Sequence, residues 1–463
     1  MKLKKNLNNN MTELNAISPL DGRYFNKVKE LSDFFSETAL IKYRLKVEIE
    51  YFIALGAESK ISEVKTLSAG EQNELRSFYL SFNDAEAAKV KKMEQTTNHD
   101  VKAVEYYLKE KLSKIKSLSA SSEFVHFALT SEDINNLAYS LMLKDGLAVY
   151  LNQLKKFLAE LKDLAIKNKK VALLSLTHGQ PATPTTLGKE LAVFYYRLSE
   201  QSKSFNPKLS GKSSGAVGNW NAQVVSYPKV DWLAFSQKFV EGLGLIFNPL
   251  TTQIESHDAL ARVFHKLIRI NSIIKNLDQD MWLYISREVF KLKKISGEVG
   301  SSTMPHKVNP IDFENSEGNL GMSNAILEHL ASKLPISRLQ RDLSDSTVIR
   351  NQGVALGYSL LALKMAAKGL SKLEVNKSKI AEELNSHWEV LAEPIQVVLR
   401  KVGYPKPYET LKNLTRGAKI GKAEIQKFIR SLKIAKAEKD VLLKLTPENY
   451  IGLASKLVDK YLT

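Results

Sequence analysis

Apolar residues recur alternately three and four positions apart along Leu260, Val263, Leu267, Ile270, Ile274, Leu277, Met281 and Tyr284. This spacing predicts a long helix with one apolar seam that a partner helix must bury. Leu147, Leu151, Leu154, Phe157 or Leu158 and Leu161 repeat the pattern, as do Leu187, Leu191, Phe194 and Leu198. Further stripes cover about 313–334 and 352–371. Five long striped helices between about 130 and 371 predict a bundle. Seams of this length also suit a helical oligomer.

The first hundred or so residues read as shorter helices broken by turns such as Ser18-Pro19-Leu20-Asp21-Gly22. Toward the end, helix signals near Ser386–Lys401 break at Gly403-Tyr404-Pro405-Lys406-Pro407 and resume as basic amphipathic helices. The strand signal is weak throughout. The chain is therefore expected to be all-α in three parts: an N-terminal helical part (1–118, with 1–11 a loose tail), a central long-helix bundle (119–370) and a C-terminal helical part (371–463).

Composition narrows the class. At 463 residues the chain exceeds the roughly 250–300 at which single cores stop growing. It has no cysteine, which excludes disulfides, thiolate catalysis and cysteine-bound metal and suits a reducing, cytoplasmic home. No apolar run approaches the roughly 20 residues of a membrane span, and the basic N-terminus lacks the apolar stretch of a signal peptide. The net charge of +17 raises nucleic-acid binding. Part of that excess is local, with 12 Lys/Arg against 4 Asp/Glu between Arg400 and Asp440. It follows an amphipathic pattern and lacks any aromatic platform, so a solvated lysine face is expected, without a nucleic-acid partner. A positive field would also draw in a polyanionic small substrate.

Five segments interrupt the helices with dense polar chemistry. Gly300-Ser301-Ser302-Thr303-Met304-Pro305-His306-Lys307-Val308-Asn309-Pro310 cannot be regular helix or strand throughout. It reads as a loop that carries a reactive hydroxyl to an anionic ligand. Asp21-Gly22-Arg23-Tyr24 can fork a phosphate or carboxylate. In Thr96-Thr97-Asn98-His99-Asp100, Thr or Asn would cap a helix whose N–H groups suit an anion. His126 precedes Thr130-Ser131-Glu132-Asp133, where Thr130 or Ser131 would cap the next helix. His178, in Thr177-His178-Gly179-Gln180-Pro181-Ala182-Thr183-Pro184, sits on a kinked stretch that glycine and proline hold in place. Gln253 and Glu255 stand where the heptad helix opens. Arg338, Arg341 and Arg350 lie among hydroxyls that include Ser346 and suit bidentate anion recognition. Gly417–Ala423 lacks P-loop spacing, and the eight histidines include no His-x-x-x-His pair. No metal and no cofactor are expected.

A loop hydroxyl, a fixed imidazole, cationic anchors and neutral donors suit proton abstraction beside a carboxylate with loss of a group from the neighbouring carbon. Acyl transfer by a Ser–His pair is the rival, and the residues alone do not separate the two.

The run from Gly300 to Pro310 resembles the signature of the fumarase/aspartase/argininosuccinate lyase superfamily, whose members release fumarate or a related product by β-elimination. His306 after Met-Pro, the continuation Ile311–Asn319, Thr177–Pro184, Ser18–Tyr24 and Thr97–Tyr106 are similar to the bacterial adenylosuccinate lyase family, from about residue 14 to the C-terminus. The resemblance implies loss of fumarate from adenylosuccinate and from the imidazole-carboxamide precursor SAICAR. It implies Ser301 as the base, His178 as the acid, and Lys307 and Asn309 as carboxylate holders. It further implies Arg23, Tyr24, Arg341, Ser346 and Arg350 around the nucleotide phosphate. Asn98, His99, Asp100, Thr130, Ser131, Gln253, Ser302 and Asn315 would complete the pocket, with His126 in support and Glu255 steering His178. A homotetramer whose active sites draw on three chains is also implied. A sister lyase for argininosuccinate or fumarate, and more distantly a basic nucleic-acid-binding protein, are the alternatives.

Overall fold

The stripes become helices close to where the spacing places them. In the computed structural model, which describes residues 13–293, 304, 308–415 and 420–462, the five long central helices are Ser131–Lys167, Leu187–Lys203, Asp258–Ser286, Ile311–Lys333 and Gln352–Ser371. The expected tail lies outside the described residues. Strand is confined, among the described residues, to segments of two or three residues that pair into four two-stranded sheets. The fold is all-α.

The chain divides into two compact units. One comprises residues 1–153, 204–272 and 318–362; the other comprises 154–203, 273–317 and 363–463. This division by packing interrupts the sequence repeatedly, whereas the three-part division at 118 and 370 follows it.

In the first unit the seam residues Leu260, Val263, Leu267 and Ile270 are buried within the chain itself. These positions therefore need no second chain to cover them. Asn271 sits among them and ties three helices together. Its amide donates to Ser323 Oγ at 3.1 Å and to Asn324 Oδ1 at 2.9 Å, and its oxygen accepts from Ser359 Oγ at 2.6 Å. The Glu37–Ala57 helix, 21 residues long, is longer than the short elements expected in the N-terminal part. It buries residues all round its circumference and so presents no single apolar stripe to read. Ser36 caps it by accepting from the Ala39 N–H.

In the second unit the C-terminal helices close over Trp388, Leu391, Ile395, Leu399, Ile425 and Ile429. Lys422, Lys427 and Arg430 point to solvent from the helix that buries Ile425 and Ile429. This is the solvated lysine face expected from the amphipathic pattern.

Candidate active site

In the first unit, the Asp84–Thr97 helix ends at Asn98, whose φ of 50° is left-handed. The next helix, Asp100–Ser113, takes His99 as its cap: His99 Nδ1 accepts from the Lys102 N–H at 3.2 Å. The sequence pointed to Thr or Asn for that cap. Asn98 is instead spent on the reversal, which a short polar side chain tolerates. Asp100 then opens the helix and accepts from Arg44 Nη2 at 2.7 Å and from Arg350 Nη2 at 2.9 Å. Burial opposes its charge, but Arg44 and Arg350 prevail and hold its carboxyl down at about 2. Arg44 is wholly buried, and its Nε donates to Asn135 Oδ1 at 2.9 Å.

The Ser131–Lys167 helix begins as the capping pattern indicated. The Thr130 N–H donates to Asp133 Oδ2 at 2.9 Å, and Ser131 is the first helical residue. Asp133 has further duties, accepting from the backbone of Ser214 and Gly215 and pairing at 3.1 Å with the wholly buried Lys212. His126, also left-handed at φ 61°, meets Glu48 Oε1 through Nδ1 at 2.6 Å. Burial works against a charge on His126, yet Glu48 outweighs it and raises the imidazole above its ordinary value.

Gln253, Arg341 and Ser346 come together. Arg341 Nη1 donates to Gln253 Oε1 at 3.3 Å, and Nη2 donates to Ser346 Oγ at 2.7 Å. The turn ahead of Arg23 and Tyr24 closes through N–H bonds from Asp21 and Gly22 to the Ser18 carbonyl, and the Arg23 guanidinium lies 5.9 Å from the centre of the Tyr24 ring. Ser18 and Asp21 share with Arg350 a small cavity of about 140 Å³. Glu255 precedes the heptad helix, which starts at Asp258. Its carboxylate accepts from Asn248 Nδ2 at 2.8 Å and from the His257 N–H at 2.7 Å.

In the second unit, the kinked stretch around His178 is a β-hairpin. Leu176–Thr177 pairs antiparallel with Gln180–Pro181, Thr177 facing Gln180. His178 and Gly179 are the two turn residues, with φ of 53° and 73°. Two successive positive φ values make a type I′ turn, whose twist matches that of the paired strands. The imidazole stands exposed at the tip. The hairpin's base is fastened by Ser175 Oγ to the Thr183 carbonyl and by Thr183 Oγ1 to Glu393, which Tyr450 Oη also reaches at 3.2 Å. Asn309 precedes the Ile311–Lys333 helix, and Asn315 lies in its second turn. Ser301, Ser302 and Lys307 lie outside the described residues.

A profile described as "Lyase" matches residues 22–325, and one described as "Adenylosuccinate lyase C-terminal" matches 337–451. The chain is 52% identical to the adenylosuccinate lyase of Escherichia coli (strain K12), across 97% of this chain and 99% of that one. The chain belongs to the adenylosuccinate lyase family. The Haemophilus influenzae adenylosuccinate lyase is 53% identical and that of Buchnera aphidicola subsp. Acyrthosiphon pisum 48%, each across 97% of this chain and 99% of its own. The crystal structure of 3-carboxy-cis,cis-muconate lactonizing enzyme from Pseudomonas putida shares the fold, with a TM-score of 0.73 at 19% identity over 94% of this chain and 96% of that one.

This adenylosuccinate lyase family member also carries charged groups that the sequence did not single out. Arg44 was hidden in an apolar helix, where Glu48 four residues on reads as its partner in an ordinary exposed helix pair. Lys212 stood in the run Leu209-Ser210-Gly211-Lys212-Ser213-Ser214-Gly215, a lone cation in a small-residue loop. Glu132 and His257, at the starts of two long helices, are buried as well. Among the described residues no helix is long and apolar enough to cross a membrane.

Proposed function

We propose that the chain is an adenylosuccinate lyase that cleaves adenylosuccinate to AMP and fumarate, and SAICAR to AICAR and fumarate. The observation that carries this is near-full-length identity of about half to adenylosuccinate lyases. The site chemistry supports it. Arg341, fixed by Gln253 and Ser346, and Arg350, fixed by Asp100, are two cations held in place by neutral or acidic partners. Preorganised guanidinium groups suit a phosphate.

Ser301 takes the proton from the succinyl carbon beside the departing nitrogen's carbon. The C–H electron pair moves into the neighbouring carboxylate and then forms the C=C bond of fumarate as the C–N bond breaks. His178 gives its proton to the leaving nitrogen. Lys307 and Asn309 hold the carboxylate on which charge develops, with Asn315 and Ser302 completing that end. Arg23, Tyr24, Arg341, Ser346 and Arg350 hold the phosphate and nearby groups, and Asn98, His99, Asp100, Thr130, Ser131 and Gln253 complete the pocket. No cofactor, metal, nucleic acid or membrane takes part.

The working form is a cytoplasmic homotetramer built on the central part of the three-part chain, each site drawing on three chains. A solvent-facing imidazole at a hairpin tip supports this, because a general acid gains from a site that excludes water. Apolar side chains exposed on the long helices, Met322 (52%) and Leu283 (51%), also await cover. The test is to incubate purified protein with adenylosuccinate and with SAICAR and assay fumarate. Release from both is expected, and no release from either by folded protein would overturn the reading.

A further inference from the structure

Glu132 on the first turn of the Ser131–Lys167 helix, His257 just ahead of the Asp258–Ser286 helix, and Asp345 on the Ser344–Ile349 helix converge. One ligand-type atom from each lies within 4.8 Å of the others, and all three residues are buried. Such a trio could hold a metal ion, but a cation is already there. The Arg341 guanidinium is 3.4 Å from Glu132 Oε2 and 3.9 Å from Asp345 Oδ1. A divalent ion at the same spot would be repelled strongly in so buried a place. Among the described residues, His257 Nε2, Arg341 Nε and Asp345 Oδ1 are buried without a hydrogen-bond partner. Buried polar atoms are rarely left unpaired, so the cluster has bonding capacity in reserve behind Arg341.

We propose that Glu132, His257 and Asp345 form a proton-holding seat for Arg341, in which a protonated Glu132 leaves the guanidinium charge available to the substrate phosphate. Glu132 is thus a positioning residue, and the inference rests on Arg341 being a phosphate anchor. The charge balance gives the reason. With both carboxylates ionised, two negative charges face one guanidinium and compete with the phosphate for it. With Glu132 neutral, Asp345 and Arg341 balance.

The surroundings favour the neutral form. Burial pushes the Glu132 carboxyl up to about 8, with Arg341 and Lys212 opposing and Asp345 and Asp133 reinforcing. Burial likewise holds His257 below the usual imidazole range, against Glu255, Asp345 and Asp258 and with Arg341. Tyr139, two turns along the helix from Glu132, is an electrostatic neighbour of Glu132, Arg44, Arg350 and Asp100. A bound phosphate adds negative charge and strengthens the hold of Glu132 on its proton. By linkage, phosphate affinity falls as pH rises past that group's ionisation.

The experiment is the pH dependence of KM and kcat for adenylosuccinate between about pH 7 and about pH 9.5, for wild type, Glu132→Gln and Glu132→Asp. Wild type should show KM rising up to about tenfold per pH unit on the alkaline side, with kcat changing less. Glu132→Gln should abolish that rise, and Glu132→Asp, still ionisable, should restore it. An alkaline rise in Glu132→Gln equal to that of wild type would overturn the proposal. Calorimetry on the wild-type protein gives a second test that needs no folded variant. AMP binding near pH 8, repeated in buffers of different ionisation enthalpy, should show proton uptake, whereas adenosine should show none. Fumarate release without proton uptake on AMP binding would defeat this inference alone. Absence of both fumarate release and AMP binding would defeat the proposed function with it.

Discussion

Arg44 Nη2 donates to Asp100 Oδ2 across 2.7 Å, and the arginine in that pair is wholly buried. A buried guanidinium needs a carboxylate, and Asp100 also serves Arg350, so one acid holds two helices and an anchor cation. The folded carboxyl sits near 2, below its value of 3.8 when unperturbed. Its stabilisation is therefore complete above the unfolded value and is lost as pH falls through the folded one. The lowering amounts to on the order of 2 kcal/mol. Asp100→Asn should lose about that much stability at neutral pH, and urea unfolding should show the gap from wild type shrinking toward pH 2. A gap independent of pH would contradict this account.

Ser301→Ala and His178→Ala should each lower kcat by about 10²–10⁴, the usual scale for general acid–base groups. Near-normal turnover in both would remove the assigned roles. Mixed and refolded together, the two inactive variants should recover activity, because a site drawing on several chains can then be assembled from intact residues. No recovery after verified subunit exchange would argue against shared sites.

The turn that presents His178 depends on backbone conformation alone at Gly179, since a Cβ there would meet no atom within 4 Å. Gly179→Ala should cost about 1 kcal/mol locally, the price of a left-handed alanine. It should lower kcat while leaving the melting temperature nearly unchanged. Gly179→Asn, more at home with positive φ, should recover part of the rate. Full activity in Gly179→Ala would show that the hairpin geometry does not matter to turnover.

Asn271 satisfies Ser323, Asn324 and Ser359 at once inside the first unit. Asn271→Ala removes the buried acceptor of Ser359 and the donor to Asn324, while Ser323 keeps its bond to the Ala355 carbonyl, and should destabilise by about 2 kcal/mol, measurable as a lower urea midpoint. A midpoint equal to wild type would mean that the helices do not rely on this tie.

The long helices were legible because their pattern is local. Leu260 through Met281 repeat at the pitch of a helix, and residues three and four apart are neighbours whatever the rest of the chain does. The Thr130–Asp133 cap was legible for the same reason, its two partners lying three residues apart. The Glu37–Ala57 helix lost its stripe because burial all round erases the contrast between faces. His178 was picked out by its polar setting, but its hairpin was not, because two-residue strands are too short to show alternation.

The amino-acid order by itself determined the helical class, the long central elements, the absence of thiol chemistry and the polar breaks between helices. Only the tertiary structure decided which charges meet. Asp100 finds Arg44 at a separation of 56 residues and Arg350 at 250, and Glu132 finds Arg341 from a distant segment. Helical periodicity is enforced by steric and hydrogen-bond terms within one turn, whereas an ion pair between remote segments exists only once the apolar core has brought its partners together and taken them out of water.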